Sequence, residues 1–353
     1  MTKENLQQPY PPSWFDRLKS WVERLPIPWW LFYLVIGLLY YPIITVIQWN
    51  AGTYPLGTFS ILHLWLSLEF GYILAMMHYL DRVAADALSQ MQSILKVGAD
   101  DFARLKYELV TLPARPTLVT SLLVAGAAVC IFTPLPYLTA KDGFSMEYQV
   151  STQVSSMVVF GIGMTLTWFI NATLFLHTLR QLQLVSRVYR DYVQIDLFDL
   201  DPLYAFSGLT ARTAFLLLII PYCWFATSPG LANLGAAVVI GLVIAVIATV
   251  TFVLPLWGIH QRLNQVKSRV MTENRRRVNA LVEDLARGAD AGDLGNASKI
   301  RDALTAFDIQ YKTFEQIPTW PWRPETFRLI VSAILLPTVL FLLQYVLRRF
   351  LGG

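Results

Sequence analysis

The sequence predicts an all-α, polytopic membrane protein with seven transmembrane helices and a cytoplasmic anchor bundle of helices. Three observations predict this fold. Charged residues make up only 15% of the 353 residues, whereas a soluble domain carries about 25%. Long apolar runs recur along the chain in the pattern of bilayer-crossing helices. The long connections between some of these runs keep apolar residues at helical spacing, which indicates that helices continue beyond the membrane.

Seven apolar runs are the predicted crossings. The connections between them alternate in length, so that the short ones fall on one side of the membrane and the long ones on the other. The apolar stripes of the long connections need partners, because a lone stripe in water is costly. We therefore expect the second, fourth and sixth crossings to project from the membrane and pack as a bundle. The predicted crossings are residues 29–49, 59–80, 117–138, 150–179, 213–226, 234–257 and 327–347.

Lysine and arginine residues orient the chain. All but three of the 28 lie before the first crossing or at the connections after the second, fourth and sixth crossings; the others are Lys141, Arg348 and Arg349. The positive-inside rule then places the N-terminus inside and the C-terminus outside. We expect a multi-pass protein of the inner or plasma membrane. Because the basic residues flank crossings, the net charge of +4 does not indicate nucleic-acid binding.

The chain is expected to divide into four regions. Residues 1–28 form a tail and an amphipathic helix, and 29–257 form the first six crossings with their helical extensions. Residues 258–324 form a cytoplasmic helical hairpin, and 325–353 the last crossing with an outer C-terminus. The amphipathic helix, residues 13–25, carries its apolar side chains on one face. It can lie flat in the headgroup layer or pack on the protein's own helices, and its periodicity fits both.

The predicted hairpin organises the rest of the chain. The sixth crossing ends near Trp257, and its helix is expected to run on into water because an apolar stripe continues at four-three-four spacing. A loop rich in Gly, Ala and Asp at 288–295 ends this helix, and a second helix returns to the membrane. Trp320 and Trp322, with prolines around them, form an interfacial hinge or belong to an aromatic belt. The stripes consist of Ile259, Leu263, Val266 and Val270 on the first helix, and of Ile300, Leu304, Phe307, Tyr311 and Phe314 on the second.

Polar side chains inside the crossings are the candidate site residues. Glu69 lies near the middle of the second crossing, where a carboxylate costs about 2.5–3.5 kcal/mol, so it is expected to face protein or water. It could bind an ion, a proton or a ligand, or it could bridge helices. Asn171 in the fourth crossing is expected to make an interhelical hydrogen bond. His63 could face an outer vestibule, but such a histidine is more often interfacial than a ligand.

His78 lies near the inner end of the second crossing and is predicted to pair with Asp81 or Asp86. The spacing of His63, Glu69 and His78 does not place the three on one face of a helix. We therefore expect no metal site at this crossing.

The chain lacks the motifs of several large enzyme classes. HExxH, GxSxG, a Walker loop and a GxGxxG following a strand are all absent. We therefore expect no enzymatic activity and no cofactor. Cys130 and Cys223 both lie in apolar runs, where two buried reduced thiols are favoured over a disulfide.

The last crossing contains a threonine and a glutamine among apolar residues. The inside N-terminus, the outside C-terminus and the divided last helix resemble the seven-transmembrane ion-channel superfamily, which contains the insect odorant and gustatory receptors. The resemblance implies a tetrameric cation channel whose pore is lined by this crossing. It also implies that Thr338 and Gln344 line the pore, and that a ligand binds in the outer halves of crossings two to six. The residues that carry the resemblance are Thr338-Val339-Leu340-Phe341-Leu342-Leu343-Gln344-Tyr345.

Three functions are compatible with the sequence. The first is a ligand-responsive, homo-oligomeric cation channel with a small-molecule ligand. The second is a membrane scaffold or signalling adaptor whose hairpin binds a cytoplasmic protein partner. The third is an ion-coupled transporter that uses Glu69, although an odd number of crossings without a visible inverted repeat disfavours it.

Overall fold

The computed structural model describes residues 9–132, 150–151, 153–227, 234–292 and 295–335. In these ranges the protein is helical and has no β-strand, so the predicted all-α fold is confirmed there. The helices are α1 (Trp14–Val22), α2 (Trp29–Asn50), α3 (Ile61–Gln90), α4 (Ala99–Val110), α5 (Ala114–Phe132), α6 (Val154–Asp191), α7 (Ala205–Thr227), α8 (Leu234–Asp290), α9 (Ala297–Gln316) and α10, described over residues 324–335.

Five helical stretches in the described ranges are long and apolar enough to cross a membrane. This is the pattern of a multi-pass membrane protein. The third predicted crossing begins in α5 and the seventh in α10, but residues 133–138 and 336–347 lie outside the described residues. The number seven and the orientation therefore stay predictions. The five stretches are Trp29–Asn50, Ile61–Gln90, Val154–Asp191, Asp201–Trp224 and Val246–Asp290.

Helix α3 lies at the centre of the bundle. In its most apolar window 72% of the residues are buried, against 22% for α2, and α3 packs against α2, α6 and α7. Gly37 and Gly71 let α2 and α3 approach closely, and a Cβ added at Gly71 would collide with the carbonyl of Tyr33. Ser67 donates a hydrogen bond to the carbonyl of Gly37 across the same contact. Small residues at a helix contact are a common means of packing in membranes.

Helix α8 runs without interruption for 57 residues, a length of about 85 Å. The predicted continuity of the sixth crossing with the first helix of the hairpin is therefore confirmed. Helix α9 returns along α8, and Phe314 is buried in the contact. The amide of Asn274, also buried, donates to the carbonyl of Phe307 at 3.0 Å. The hairpin is thus closed by both apolar and polar contacts.

Two cations of α8 fasten it to the ends of neighbouring helices. Arg262 donates to three carbonyls at the C-terminal end of α6, including that of Val193 at 3.1 Å. Lys267 donates to the carbonyls of Glu315 at 2.8 Å and Ile317 at 2.9 Å, at the C-terminal end of α9. The last carbonyls of a helix have no partner within it and carry partial negative charge. Cationic side chains of one helix therefore hold three helices together.

Helix α1 packs on the protein rather than on lipid alone. Ser13 and Asp16 form a capping box at its start. Phe15 and Val22 are fully buried, in one apolar core with residues of α3 and α6. Of the two arrangements compatible with its periodicity, packing on the protein's own helices is the one observed. Trp21 nevertheless keeps half of its surface exposed.

Candidate functional site

Glu69 lies where three helices meet. Its carboxylate, on α3, is 2% exposed and accepts the amide N–H of Asn171 on α6 at 3.3 Å. Its other oxygen accepts the indole N–H of Trp224 on α7 at 2.7 Å. The interhelical hydrogen bond predicted for Asn171 is confirmed. Trp224 is a site residue that was not predicted from the sequence, although an indole N–H in an apolar run does need an acceptor.

The remaining hydrogen bond of the Asn171 amide nitrogen goes to its own helix, to the carbonyl of Thr167 at 3.0 Å. One NH₂ group therefore serves both α3 and α6. Two neutral donors satisfy the buried carboxylate, and no cation from the described part of the chain is bonded to it. Such a group can hold a proton or fix three helices, and the geometry is compatible with both uses.

His63 is fully buried, with its Nδ1 3.2 Å from the hydroxyl of Tyr54. It lies behind a cavity of about 750 Å³ at the end of the bundle away from the hairpin. Tyr54 contributes to the lining of that cavity, whereas His63 itself does not. His63 therefore does not face this cavity, because Tyr54 lies against its ring.

The predicted partners of His78 are also wrong. Its Nε2 lies 3.2 Å from a carboxylate oxygen of Glu23, and its Nδ1 lies 3.2 Å from the hydroxyl of Tyr33. The ring also stacks on Trp29 at 4.8 Å. Asp81, one turn further along α3, faces α1 and α6 instead and is held there by other groups.

Asp81 belongs to a buried ion network that the sequence analysis did not identify. One of its oxygens accepts the ammonium of Lys19 on α1, and the other lies 2.8 Å from Nε2 of His177 on α6. Lys19 also approaches Asp16 at 3.4 Å and donates to the carbonyl of Val110 at 2.8 Å. Asp81, His177 and Asp16 are each at most 4% exposed. The network therefore ties α1 to α3, α6 and the end of α4.

Lys19 remains charged in this network. Burial disfavours its ammonium form, but the carboxylates of Asp81 and Asp16 outweigh that effect and raise its pKa above the usual 10.5. A raised pKa in the folded state means that the pair stabilises the fold fully below pH 10.5 and loses that contribution as pH rises through the higher folded value. Lys19 therefore supplies a positive charge to the network across the physiological range.

A largely apolar cavity of about 580 Å³ lies between α6, α7 and α8. We call it the membrane cavity. It extends along α6 from Asn171 to Ser186, and none of its described lining residues is charged. Its volume lies within the range of small-molecule sites. Because Asn171 also binds Glu69, the cavity adjoins the three-helix junction.

The membrane cavity shares a wall with the last helix. Leu218 of α7 and Ala248 of α8 line the cavity. The same two residues form a buried cluster with Ala333 and Ile334 of α10. The hydroxyl of Tyr222 adds a hydrogen bond to the carbonyl of Ile334 at 3.5 Å. Leu218 and Ala248 therefore border both the cavity and α10.

A stack of aromatic rings joins α8 to the start of α10. The ring of His260 lies 3.7 Å from that of Trp320, and Trp320 lies 4.2 Å from Trp322. Phe252 of α8 contacts Trp322 at 5.2 Å, and Trp322 stacks on Phe327 of α10. The two tryptophans thus contact other aromatic rings of the protein, and these contacts hold the start of α10 against α8.

Some predicted site residues are not placed. Thr338 and Gln344 lie outside the described residues. Cys130 and Cys223 are both free thiols, as expected, but Cys130 is exposed and Cys223 half-buried, so the prediction of two buried thiols is wrong. Within the described ranges, no three side chains of His, Cys, Asp or Glu converge to hold a metal ion.

Comparison of the chain with known protein families, with curated proteins and with solved structures found no match.

Proposed function

We propose that this protein is a ligand-responsive cation channel, assembled from several copies, whose last crossing lines the pore. The single observation that supports this function most strongly is the wall shared by the membrane cavity and α10, formed by Leu218 and Ala248. A molecule in the cavity would contact this wall, and α10 forms the first part of the predicted crossing to which Thr338 and Gln344 belong.

Two further contacts support a mechanical link between cavity and pore. The aromatic stack fixes the start of α10 to Phe252 and His260 of α8. Helix α8 in turn contributes cavity-lining residues up to Pro255, which lies three positions after Phe252 and five before His260 along the chain. Ligand binding that displaces α8 would therefore reach α10 by two routes. Coupling of this kind requires that the ligand bind one arrangement better than the other.

Conductance in planar bilayers tests this function. The proposal predicts cation current from the purified wild type and a changed conductance in Gln344→Leu, since the substitution removes a polar side chain from the pore. Gln92→Leu makes the same chemical change at an exposed position outside the apolar helices and is expected to leave current unchanged. Absence of current from correctly folded wild type under all conditions would contradict the proposal.

The membrane scaffold is a second candidate that one observation favours. The hairpin leaves the apolar side chains of Val282 and Ile309 exposed, although apolar side chains on a soluble helix are usually covered. A scaffold would conduct no ions and would not require the last crossing to face a common axis. The conductance measurement therefore separates the two functions.

A further inference from the structure

A second cavity, of about 500 Å³ and polar, lies between α3, the N-terminal part of α7 and the start of α10. We call it the boundary cavity. Each of the three helices reaches it where a predicted crossing ends. Tyr79 is the next-to-last residue of the second crossing, and Arg212 and Thr326 directly precede the fifth and the seventh. The boundary cavity therefore lies level with the lipid headgroups on the hairpin side of the predicted membrane.

Charged side chains of both signs line the boundary cavity, two arginines and two aspartates. One cation and one carboxylate are already paired: Arg323 lies 3.1 Å from Asp201, and its guanidinium also lies over the ring of Tyr204. The side chains of Asp86 on α3 and Arg212 on α7 make no ion pair or hydrogen bond within the described part of the chain. The described lining is thus neutral overall and offers one cation and one carboxylate to a ligand.

The guanidinium of Arg212 lies at the wall of the boundary cavity. Its Nη1 is 3.4 Å from the point where a Cβ of Gly208 would stand, and Gly208 itself lines the cavity. The side chain therefore extends back along α7 towards the start of the helix, which is the usual direction for a long side chain on a helix. The planar N–H groups of a guanidinium match the oxygens of a phosphate.

The two available charges favour a zwitterionic headgroup. An anionic headgroup would match Arg212 but leave Asp86 without a partner, and a cationic one would do the opposite. A phosphate and an ammonium joined by a short linker match both. The carboxylate also favours a primary ammonium over a quaternary one, because only the primary ammonium has N–H groups to donate. Next to the cavity, α7 and α10 offer acyl chains Phe215 and Phe327, which are 40% and 45% exposed.

We propose that the boundary cavity binds the headgroup of phosphatidylethanolamine. The phosphate accepts hydrogen bonds from the guanidinium of Arg212, and the ammonium donates to the carboxylate of Asp86. The acyl chains remain in the bilayer. The bound lipid thereby joins α3 to α7 beside the start of α10, and its binding does not depend on ion conduction.

Native mass spectrometry of the full-length protein in mild detergent tests the proposal. The protein is equilibrated with equal amounts of two lipids that share their acyl chains, and the bound fraction of each is read from the masses of the complexes. Phosphatidylethanolamine should be retained about threefold over phosphatidylcholine and over phosphatidylglycerol. N-methylated phosphatidylethanolamines should fall between the first two. Equal retention of phosphatidylethanolamine and phosphatidylcholine, or a preference for phosphatidylglycerol, would overturn the proposal.

Two variants with matched controls locate the site. Asp86→Asn removes the partner of the ammonium and should abolish the preference for phosphatidylethanolamine over phosphatidylcholine, whereas Asp290→Asn makes the same change at the exposed end of α8. Arg212→Gln should lower the retention of both lipids about threefold, because both contain the phosphate. Arg115→Gln removes an exposed arginine just before the third predicted crossing, outside the described lining, and should leave retention unchanged.

Three further outcomes would overturn the proposal. Equal loss of retention in Arg212→Gln and Arg115→Gln would mean that arginines at the boundary attract phosphates in general. An unchanged lipid preference in Asp86→Asn would remove the ammonium site. Glycerophosphoethanolamine, which has the headgroup without acyl chains, should compete only weakly, and competition as strong as that of the lipid would make a soluble zwitterion the occupant. Because the ratio of two lipids is measured on folded protein within one sample, lower stability of a variant does not alter the comparison.

Discussion

The bundle around α3 and the hairpin formed by the end of α8 and by α9, which we call the distal hairpin, are both helical. Different interactions stabilise them. Around α3, ionisable groups such as Asp81 and His177 are buried and join helices distant in sequence. In the hairpin, the ion pairs that the structure describes join residues within one helix, through side chains that are 52–77% exposed. Loss of one partner of a buried ion pair lowers the free energy of unfolding strongly, whereas an exposed pair contributes little to it.

This difference indicates which part of the protein is rigid. The α3 bundle has helices on several sides, close glycine contacts and a satisfied carboxylate at Glu69. The distal hairpin has one apolar seam, and Val282 and Ile309 remain exposed. Segments with few buried contacts open at lower free energy than the core. We therefore expect the bundle to set global stability and the hairpin to open locally.

The largest expected effect is the loss of the buried ammonium. Lys19→Met leaves Asp81 and Asp16 buried beside each other without a cation, which should cost about 3–5 kcal/mol. Thermal unfolding in detergent, followed by circular dichroism, measures the loss. Lys312→Met breaks the exposed pair with Asp308 and should not change the midpoint measurably. Equal changes in the unfolding midpoint for the two substitutions would contradict the claim that buried ion pairs stabilise the bundle more than exposed pairs stabilise the hairpin.

The next effect concerns the clamp at the end of α6. Arg262→Met removes hydrogen bonds from a charged donor to three carbonyls, each of which is otherwise at an open helix end. The expected cost is about 1.5–3 kcal/mol. Hydrogen exchange should quicken at the C-terminal turn of α6. Arg269→Met, at an exposed position of the same helix, serves as the control, and comparable exchange in both variants would argue against the clamp.

A smaller effect is expected at the contact of α2 with α3. Gly71→Ala places a methyl group against the backbone of Tyr33, and such overpacking typically costs about 1–3 kcal/mol. Gly161→Ala adds the same methyl group where no atom lies within 4 Å. It should be neutral or slightly stabilising, because alanine is the better helix former. Chemical unfolding of both variants measures the contrast, which would vanish if the helices were free to separate.

The smallest expected effect is a difference in amide exchange rate between two regions of the wild type. Amides of α8 beyond Asn274 and of α9 are expected to exchange faster than amides in the middle of α3, by local opening rather than global unfolding. Hydrogen exchange with mass spectrometry on intact protein in detergent gives both rates. Equal protection of the two regions would mean that the hairpin is covered by another surface, which the scaffold function would require.

The periodicity of apolar residues predicted much of the fold, because the formation of a helix and the position of its apolar face depend on local sequence. The continuity of α8 and the seam ending at Phe314 follow from apolar residues at helical spacing. The partners of polar side chains depend on how helices are arranged in space, which a single sequence does not encode locally. The pairing of His78 with Asp81 or Asp86, inferred from proximity along α3, is therefore not observed, and Asp81 faces Lys19 and His177 instead.

The same limit applies to the candidate site. Glu69 could be singled out because a carboxylate is costly at bilayer depth, and Asn171 because amides bridge helices in membranes. The membrane cavity could not be predicted, since it arises from the gap left between α6, α7 and α8. The sequence pattern of a single helix does not predict such a gap.

The native mass of the protein in mild detergent tests the central claim most directly. A pore lined by the last crossing of several copies requires a closed ring, so the account predicts a discrete particle of four chains, each of 40.1 kDa. Native mass spectrometry over a range of protein concentrations distinguishes this particle from aggregates. A strict monomer at every concentration, with the fold intact by circular dichroism, would contradict the channel.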